Sequence, residues 1–215
     1  MISASKLVYQ YPGGPTIHFP ALGLGQGDAL VVRGNSGSGK STWLALVAGL
    51  LVPSKGDLLV AGQSPGALAP SACDAWRART IGFLPQKLHL SEALTVRQNL
   101  QLVFYAAGLP EDATAIDRTL NQLGVLALRD RKPSQLSGGQ AQRVALARCV
   151  LLNPRVLLAD EPSASLDDDA ALQAIELLSS TAKALRASLV VATHDARALQ
   201  ILRRASVLQL GSSAP

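Results

Sequence analysis

Three short apolar runs, residues 29–32, 156–159 and 189–192, contain no alternating polar position. Runs of this length, rich in Leu and Val, predict strands buried on both faces of a parallel sheet; half-exposed strands would alternate. Each run ends abruptly in polar residues, at 34–42, 160–161 and 193–194. Open α/β sheets bind ligands beyond the carboxyl ends of their strands, so the three tails are expected to converge on one site. The period changes between about Ser91 and Asn153. Apolar residues there recur at three- and four-residue spacing over 96–107, 112–123 and 138–152, separated by Gly108-Leu109-Pro110 and Lys132-Pro133. This pattern predicts an inserted helical region. The beginning of the chain, with Tyr9, Tyr11 and Pro12-Gly13-Gly14-Pro15, together with the strand-like stretch 56–60, predicts a small antiparallel sheet beside the core.

A length of 215 residues suits one large α/β domain, and 48% hydrophobic against 16% charged residues is a globular balance. Aromatics are only 4%, so Leu, Ala and Val must fill the core, and Trp43 and Trp76 read as packing residues. The longest apolar stretch, 144–158, is interrupted by Arg148, Asn153, Pro154 and Arg155, and no window reaches the ~18–20 apolar residues of a bilayer span. The first ten residues lack a basic segment followed by an apolar one, so a cytoplasmic location is expected. Cys73 and Cys149 lie far apart without metal-ligand spacing and read as two buried, reduced thiols. The net charge of +5 is scattered along the chain. Its densest basic cluster, Arg129, Arg131 and Lys132, is broken by Asp130 and reads as a solvated loop; no nucleic-acid partner is expected.

Gly34-Asn35-Ser36-Gly37-Ser38-Gly39-Lys40-Ser41 fits GxxxxGK[ST] between an expected strand and an expected helix over 42–51, which opens at Thr42. Glycines allow the backbone to curl until successive N–H groups face phosphates, and the helix N-terminus adds its dipole. Lys40 then neutralises the β- and γ-phosphates, while the Ser41 hydroxyl ligates Mg²⁺. The run Val156-Leu157-Leu158-Ala159 ends in Asp160-Glu161. Two adjacent buried carboxylates are costly unless a cation or a proton-transfer role compensates them. Asp160 is accordingly assigned to Mg²⁺ and Glu161 to activation of the attacking water as general base. Leu136-Ser137-Gly138-Gly139-Gln140 reads as a helix start, with Ser137 as N-cap and Gln140 completing a capping box. Two glycines in a first turn cost about 1 kcal/mol each relative to Ala, which a close backbone approach to an anion would explain.

Together, the phosphate loop, the acidic strand end and Leu136-Ser137-Gly138-Gly139-Gln140 resemble the ATP-binding cassette proteins over nearly the whole chain. The resemblance implies a P-loop NTPase core with a mainly parallel sheet, a flanking antiparallel β subdomain and an inserted α-helical subdomain. It divides one domain, 1–215, into a core of 1–86 and 153–215 and a helical subdomain of 87–152. It also implies further roles: Gln86 sensing Mg²⁺ and the attacking water, His194 contacting the γ-phosphate, and Asp167 lying in the loop that communicates across a dimer. Tyr11 resembles the aromatic that stacks on adenine, with Tyr9 the competing candidate. Pro85 before Gln86 and Ser163-Ala164-Ser165 before Leu166 depart from the commoner pattern.

In that family two cassettes pair head to tail, so the chain is expected to need a second copy of itself or a related cassette, and an integral membrane permease subunit. Its location would then be peripheral, on the inner face of the cell membrane. The motif Leu158-Ala159-Asp160-Glu161-Pro162 looks most like the branch serving lipoprotein release, macrolide export and cell division. A soluble cofactor-assembly ATPase is the alternative reading.

Overall fold

The computed structural model describes residues 1–164 and 166–211; Ser165, singled out above with its neighbours, lies outside them. In chain order the strands are β1 (Ile2–Gln10), β2 (Thr16–His18), β3 (Leu22–Leu24), β4 (Ala29–Arg33), β5 (Lys55–Val60), β6 (Ile81–Leu84), β7 (Val156–Asp160), β8 (Ser188–Ala192) and β9 (Ser206–Gln209). The helices are α1 (Lys40–Val47), α2 (Pro70–Thr80), α3 (Val96–Ala107), α4 (Ala113–Gln122), α5 (Gly138–Val150), α6 (Asp168–Leu185) and α7 (Arg197–Ile201).

The five strands β6-β7-β8-β4-β9 form a wholly parallel sheet in that order. The three apolar runs are its centre, and every residue of β7 and β8 is buried. Alternate side chains feed two cores. Val31, Leu157, Ala159, Leu189 and Val191 face the helices α3 to α6, whereas Leu30, Val32, Leu158, Val190 and Ala192 face α1 and the antiparallel strands. Continuous apolar runs are therefore required, because neither face meets water. Trp43 of α1 is fully buried in the second core, and Trp76 packs partly buried against it.

The antiparallel sheet comprises β1 paired with β2, β3 and β5, as the start of the chain suggested. Segment 91–153 holds α3, α4 and α5, with two short 3₁₀ turns between α4 and α5. Thr95 and Gln98 form a reciprocal capping box at the start of α3, and Asp112 caps α4. One expectation is corrected: Cys73 is buried, but Cys149 keeps part of its surface exposed. Its Sγ donates to the Phe83 carbonyl at 3.0 Å. Burial pushes this thiol up to about 12, despite the opposing charge of Arg148, so it is not a nucleophile at neutral pH. Among the described residues, no helix is long and apolar enough to cross a membrane.

Candidate functional site

Register brings the three polar tails together. The Thr193 N–H donates to the Val32 carbonyl at 3.0 Å and the Glu161 N–H to the Ala192 carbonyl at 2.8 Å, so β4, β7 and β8 end at one level. The phosphate loop leaves β4 and enters α1. A Cβ on Gly34 would stand 2.3 Å from Ser38 Oγ and 2.9 Å from the Leu210 carbonyl, and Gly37 and Gly39 take φ of 77° and 95°. Side chains are strained in that left-handed region, so this turn needs its glycines. Gly39 is the N-cap of α1, which leaves the helix's first backbone donors free of any side-chain cap.

Lys40 is 8% exposed. Its Nζ donates to the carbonyls of Gly34 at 2.9 Å and Asn35 at 3.2 Å, and lies 3.3 Å from Glu161 Oε1. Glu161 has φ 46°, a conformation that costs a non-glycine residue on the order of 1 kcal/mol or more and marks a turn held by its surroundings. What holds it is visible: the Thr193 hydroxyl donates to Oε2 at 3.0 Å, and His194 Nδ1 lies 3.1 Å from Oε1. Burial pushes this carboxyl up, but hydrogen bonds from His194 and Thr193, with help from Lys40, outweigh it and hold the group below its ordinary value. Glu161 is thus ionised and oriented.

Asp160 behaves oppositely. Burial, reinforced by the neighbouring Glu161 charge, raises its carboxyl above the usual range against the pull of Ser41 and Lys40. Its Oδ1 is buried without any hydrogen-bond partner. An orphaned carboxylate oxygen beside the Ser41 hydroxyl is a fitting ligand pair for a hard cation.

A cavity of about 610 Å³ opens over these groups. The phosphate loop contributes Asn35, Ser36, Gly37, Gly39, Lys40, Ser41 and Thr42; the strand ends contribute Glu161 and His194; the bend after β6 contributes Gln86. Tyr11, Pro15 and Ile17 of the antiparallel lobe complete the lining. The Tyr11 hydroxyl lies 2.7 Å from Thr42 Oγ1, which fixes its ring beside the loop. Tyr9 packs edge-on against that ring, 4.8 Å between centroids, and does not line the cavity. Gly34 and Ser38 lie within the loop's fold, and Asp160 sits just before Glu161 in β7.

Five predicted residues stand elsewhere, at the starts of α5 and α6. Ser137, Gly138, Gly139 and Gln140 do not line this cavity. They form the expected capping box at the start of α5: Ser137 Oγ accepts from the Gln140 N–H at 3.3 Å, and Gln140 Oε1 accepts from the Ser137 N–H at 3.0 Å. Ser137, Gly138 and Gly139 are exposed, and a Cβ on either glycine would meet nothing within 4 Å. Gln142, one turn further along α5, donates to the Pro162 carbonyl at 2.7 Å and so ties this helix to the loop after Glu161. Asp167 is exposed as well; its Oδ1 accepts from the Ala170 N–H at 2.8 Å as the N-cap of α6.

Sequence reading passed over Thr193 as a support for Glu161, although a polar Thr193-His194-Asp195 tail on an apolar strand was the available signal. It also passed over Ser163, Asp195 and Arg197, which meet only because the loop after β7 folds against the loop after β8.

Comparisons with known proteins identify the family. The family described as ABC transporter matches residues 20–164. The lipoprotein-releasing system ATP-binding protein LolD of Anaeromyxobacter dehalogenans (strain 2CP-C) is 40% identical over 186 residues, covering 85% of this chain and 78% of its own. HrtA of Staphylococcus haemolyticus (strain JCSC1435), an ATP-binding protein named for hemin import, is 38% identical over 190 residues, with 86% and 85% covered. Among solved structures, the dimeric post-hydrolysis state of the ATP-binding cassette MJ0796 bound to ADP and Pi superposes with a TM-score of 0.81 at 26% identity, covering 100% of this chain and 97% of that one. The chain belongs to the ABC transporter family as an ATP-binding, ATP-hydrolysing subunit.

Proposed function

We propose that this subunit works as one half of a head-to-tail pair that closes around two MgATP molecules and drives a transmembrane permease. The observation that carries the reading is the start of α5: capped, exposed, glycine-bearing without any packing reason, and outside its own nucleotide cavity. Backbone donors at such a helix start suit an anion presented by another molecule. In the pair, Ser137 and the Gly138–Gly139 backbone of one subunit, with Gln140, would meet the γ-phosphate held by Lys40 of the other, and Asp167 would lie along the seam.

Within one cavity the roles follow from position. The glycine-rich backbone of Gly34, Asn35, Ser36, Gly37, Ser38 and Gly39 cradles phosphates, Thr42 fixes Tyr11, and Tyr11 offers a ring to adenine. Ser41 and Asp160 would hold Mg²⁺, with Gln86 beside them; bound there, the ion would neutralise charge on the phosphates. Glu161 takes the proton of the attacking water, and His194 keeps that carboxylate oriented toward the terminal phosphate. Hydrolysis divides the bridging anion, and the pair loosens.

The permease reading is supported by an apolar groove of about 300 Å³ between β6, α3 and α5, lined in part by Leu102 of α3, the helix that also carries the 86% exposed Tyr105. Arg148 of α5 donates to the carbonyls of His89 at 2.7 Å and Leu88 at 2.5 Å, joining the stretch after Gln86 to the helix that begins at Ser137. We infer that segment 87–152 moves as a helical lobe carrying this connection, on the inner face of the membrane. Relatives named for lipoprotein release and for hemin import are almost equally similar, so cargo choice is assigned to the partner rather than to this chain.

The test is Glu161→Gln, which keeps shape and loses basicity. Turnover should fall by about 10²–10⁴ while ATP stays bound, and light scattering after gel filtration should find dimers with MgATP and monomers without it. Wild-type turnover would remove the general-base role, and an inactive, ATP-loaded monomer would overturn the sandwich.

A further inference from the structure

We propose that Arg197 is a positioning residue for ATP hydrolysis: its guanidinium fastens the loop that carries Asp167 to the end of β8 that carries Thr193 and His194. The inference rests on the reading of Glu161 as base and of Asp167 as the partner-facing residue.

The side chains form one continuous path. The Thr193 hydroxyl donates to Glu161 Oε2 at 3.0 Å and accepts from the Asp195 N–H at 3.0 Å. The Asp195 carboxylate accepts from Arg197 Nε at 2.9 Å and pairs with its second nitrogen at 2.8 Å, a forked contact. The same carboxylate accepts from Ser163 Oγ at 2.9 Å. The remaining Arg197 nitrogen pairs with Asp168, first residue of the helix that Asp167 caps. Arg197 therefore joins two loops that the sheet alone does not hold together. One follows Glu161 in sequence, and the other carries the groups that aim Glu161.

Burial decides which contacts matter. Asp195 is 11% exposed and Ser163 5%, so an unmatched Asp195 charge would be poorly tolerated and its loop would rearrange. The outer link to Asp168, whose side chain is 93% exposed, is the weaker one. Arg197 does not line the nucleotide cavity; it lines a second hollow with Ser163, Leu166 and Asp195, and His194 lines both. Its influence on chemistry must pass through those neighbours. A planar fork can hold Asp195 through two nitrogens and still reach Asp168, whereas a lysine ammonium is one point charge.

The test compares Arg197→Ala, Arg197→Lys and Asp168→Ala in the full chain by steady-state ATPase, fluorescent-ATP binding and thermal melting. Arg197→Ala should lower kcat about tenfold or more with KM and nucleotide affinity unchanged, since small misplacements of reacting groups cost that much. Arg197→Lys should recover part of the loss by restoring the charge. Asp168→Ala should give a smaller loss that adds nothing in the Arg197→Ala background, because both break one path. Wild-type kcat in Arg197→Ala overturns the proposal, as does a fall in nucleotide affinity that accounts for the whole effect. If Arg197→Ala does not fold, wild-type kcat in both Arg197→Lys and Asp168→Ala overturns it. Glu161→Gln is run in parallel: its turning over normally would remove the underlying reading, whereas inactive Glu161→Gln beside normal Arg197→Ala would sink this proposal alone.

Discussion

Two glycine-bearing helix starts in this molecule obey different masters. In the phosphate loop, Gly34 leaves no room for a Cβ and Gly37 and Gly39 sit at positive φ, so the fold of the chain itself demands them. At the start of α5, Gly138 and Gly139 have ordinary helical backbone and open space around them, so alanine would fit and would favour the helix by about 1 kcal/mol each. The first pair of facts is explained inside one subunit. The second has no explanation there, and points outward. Local cost without local benefit is the structural trace of a surface that works on something else.

The comparison can be broken at four places. Lys40→Ala removes the cation on which the whole cradle converges; ATPase activity should fall at least about a hundredfold, with nucleotide affinity, while circular dichroism stays native. Ser137→Arg should keep nucleotide binding, since its own cavity is untouched, yet lose turnover by about a hundredfold as the opposite site loses its donors. Loss of nucleotide binding in that variant would place the two regions in one site. Gly34→Ala should cost about 1–3 kcal/mol in chemical denaturation, because the Leu210 carbonyl must shift. Gly138→Ala should do the reverse, raising stability by up to about 1 kcal/mol while slowing turnover. A destabilised Gly138→Ala would mean that glycine serves the helix after all.

Much of this was legible in the chain. The strands β4, β7 and β8 announce themselves because both faces are buried, and α3 matches its predicted span because its capping box and amphipathic period agree. The parts that escaped depend on distant partners. β6 is four residues long and contains Gly82, which is explained by distant neighbours: its Cβ would stand 2.5 Å from the Cys149 carbonyl of α5 and 3.0 Å from Pro154 Cγ. β9 is an edge strand with mostly exposed side chains, so no apolar pattern marks it. α6 begins with Asp168 and Asp169 behind its N-cap Asp167, and an acidic run of that kind reads as loop until its first member is seen capping the helix. In the site, the phosphate loop was written in consecutive residues, whereas the path from Ser163 to Asp195 and Arg197 joins loops that only the sheet register brings near.

One contact has a kinetic meaning. Lys40 is answered by two carbonyls and by Glu161, so the cradle holds a carboxylate of its own against the lysine. An inorganic anion entering there would have to displace that carboxylate from the lysine. A nucleotide brings a base and a phosphate chain as well, and can afford the eviction. On the reading proposed above it would also part Glu161 from Lys40, so nucleotide entry would free the carboxylate proposed as the base.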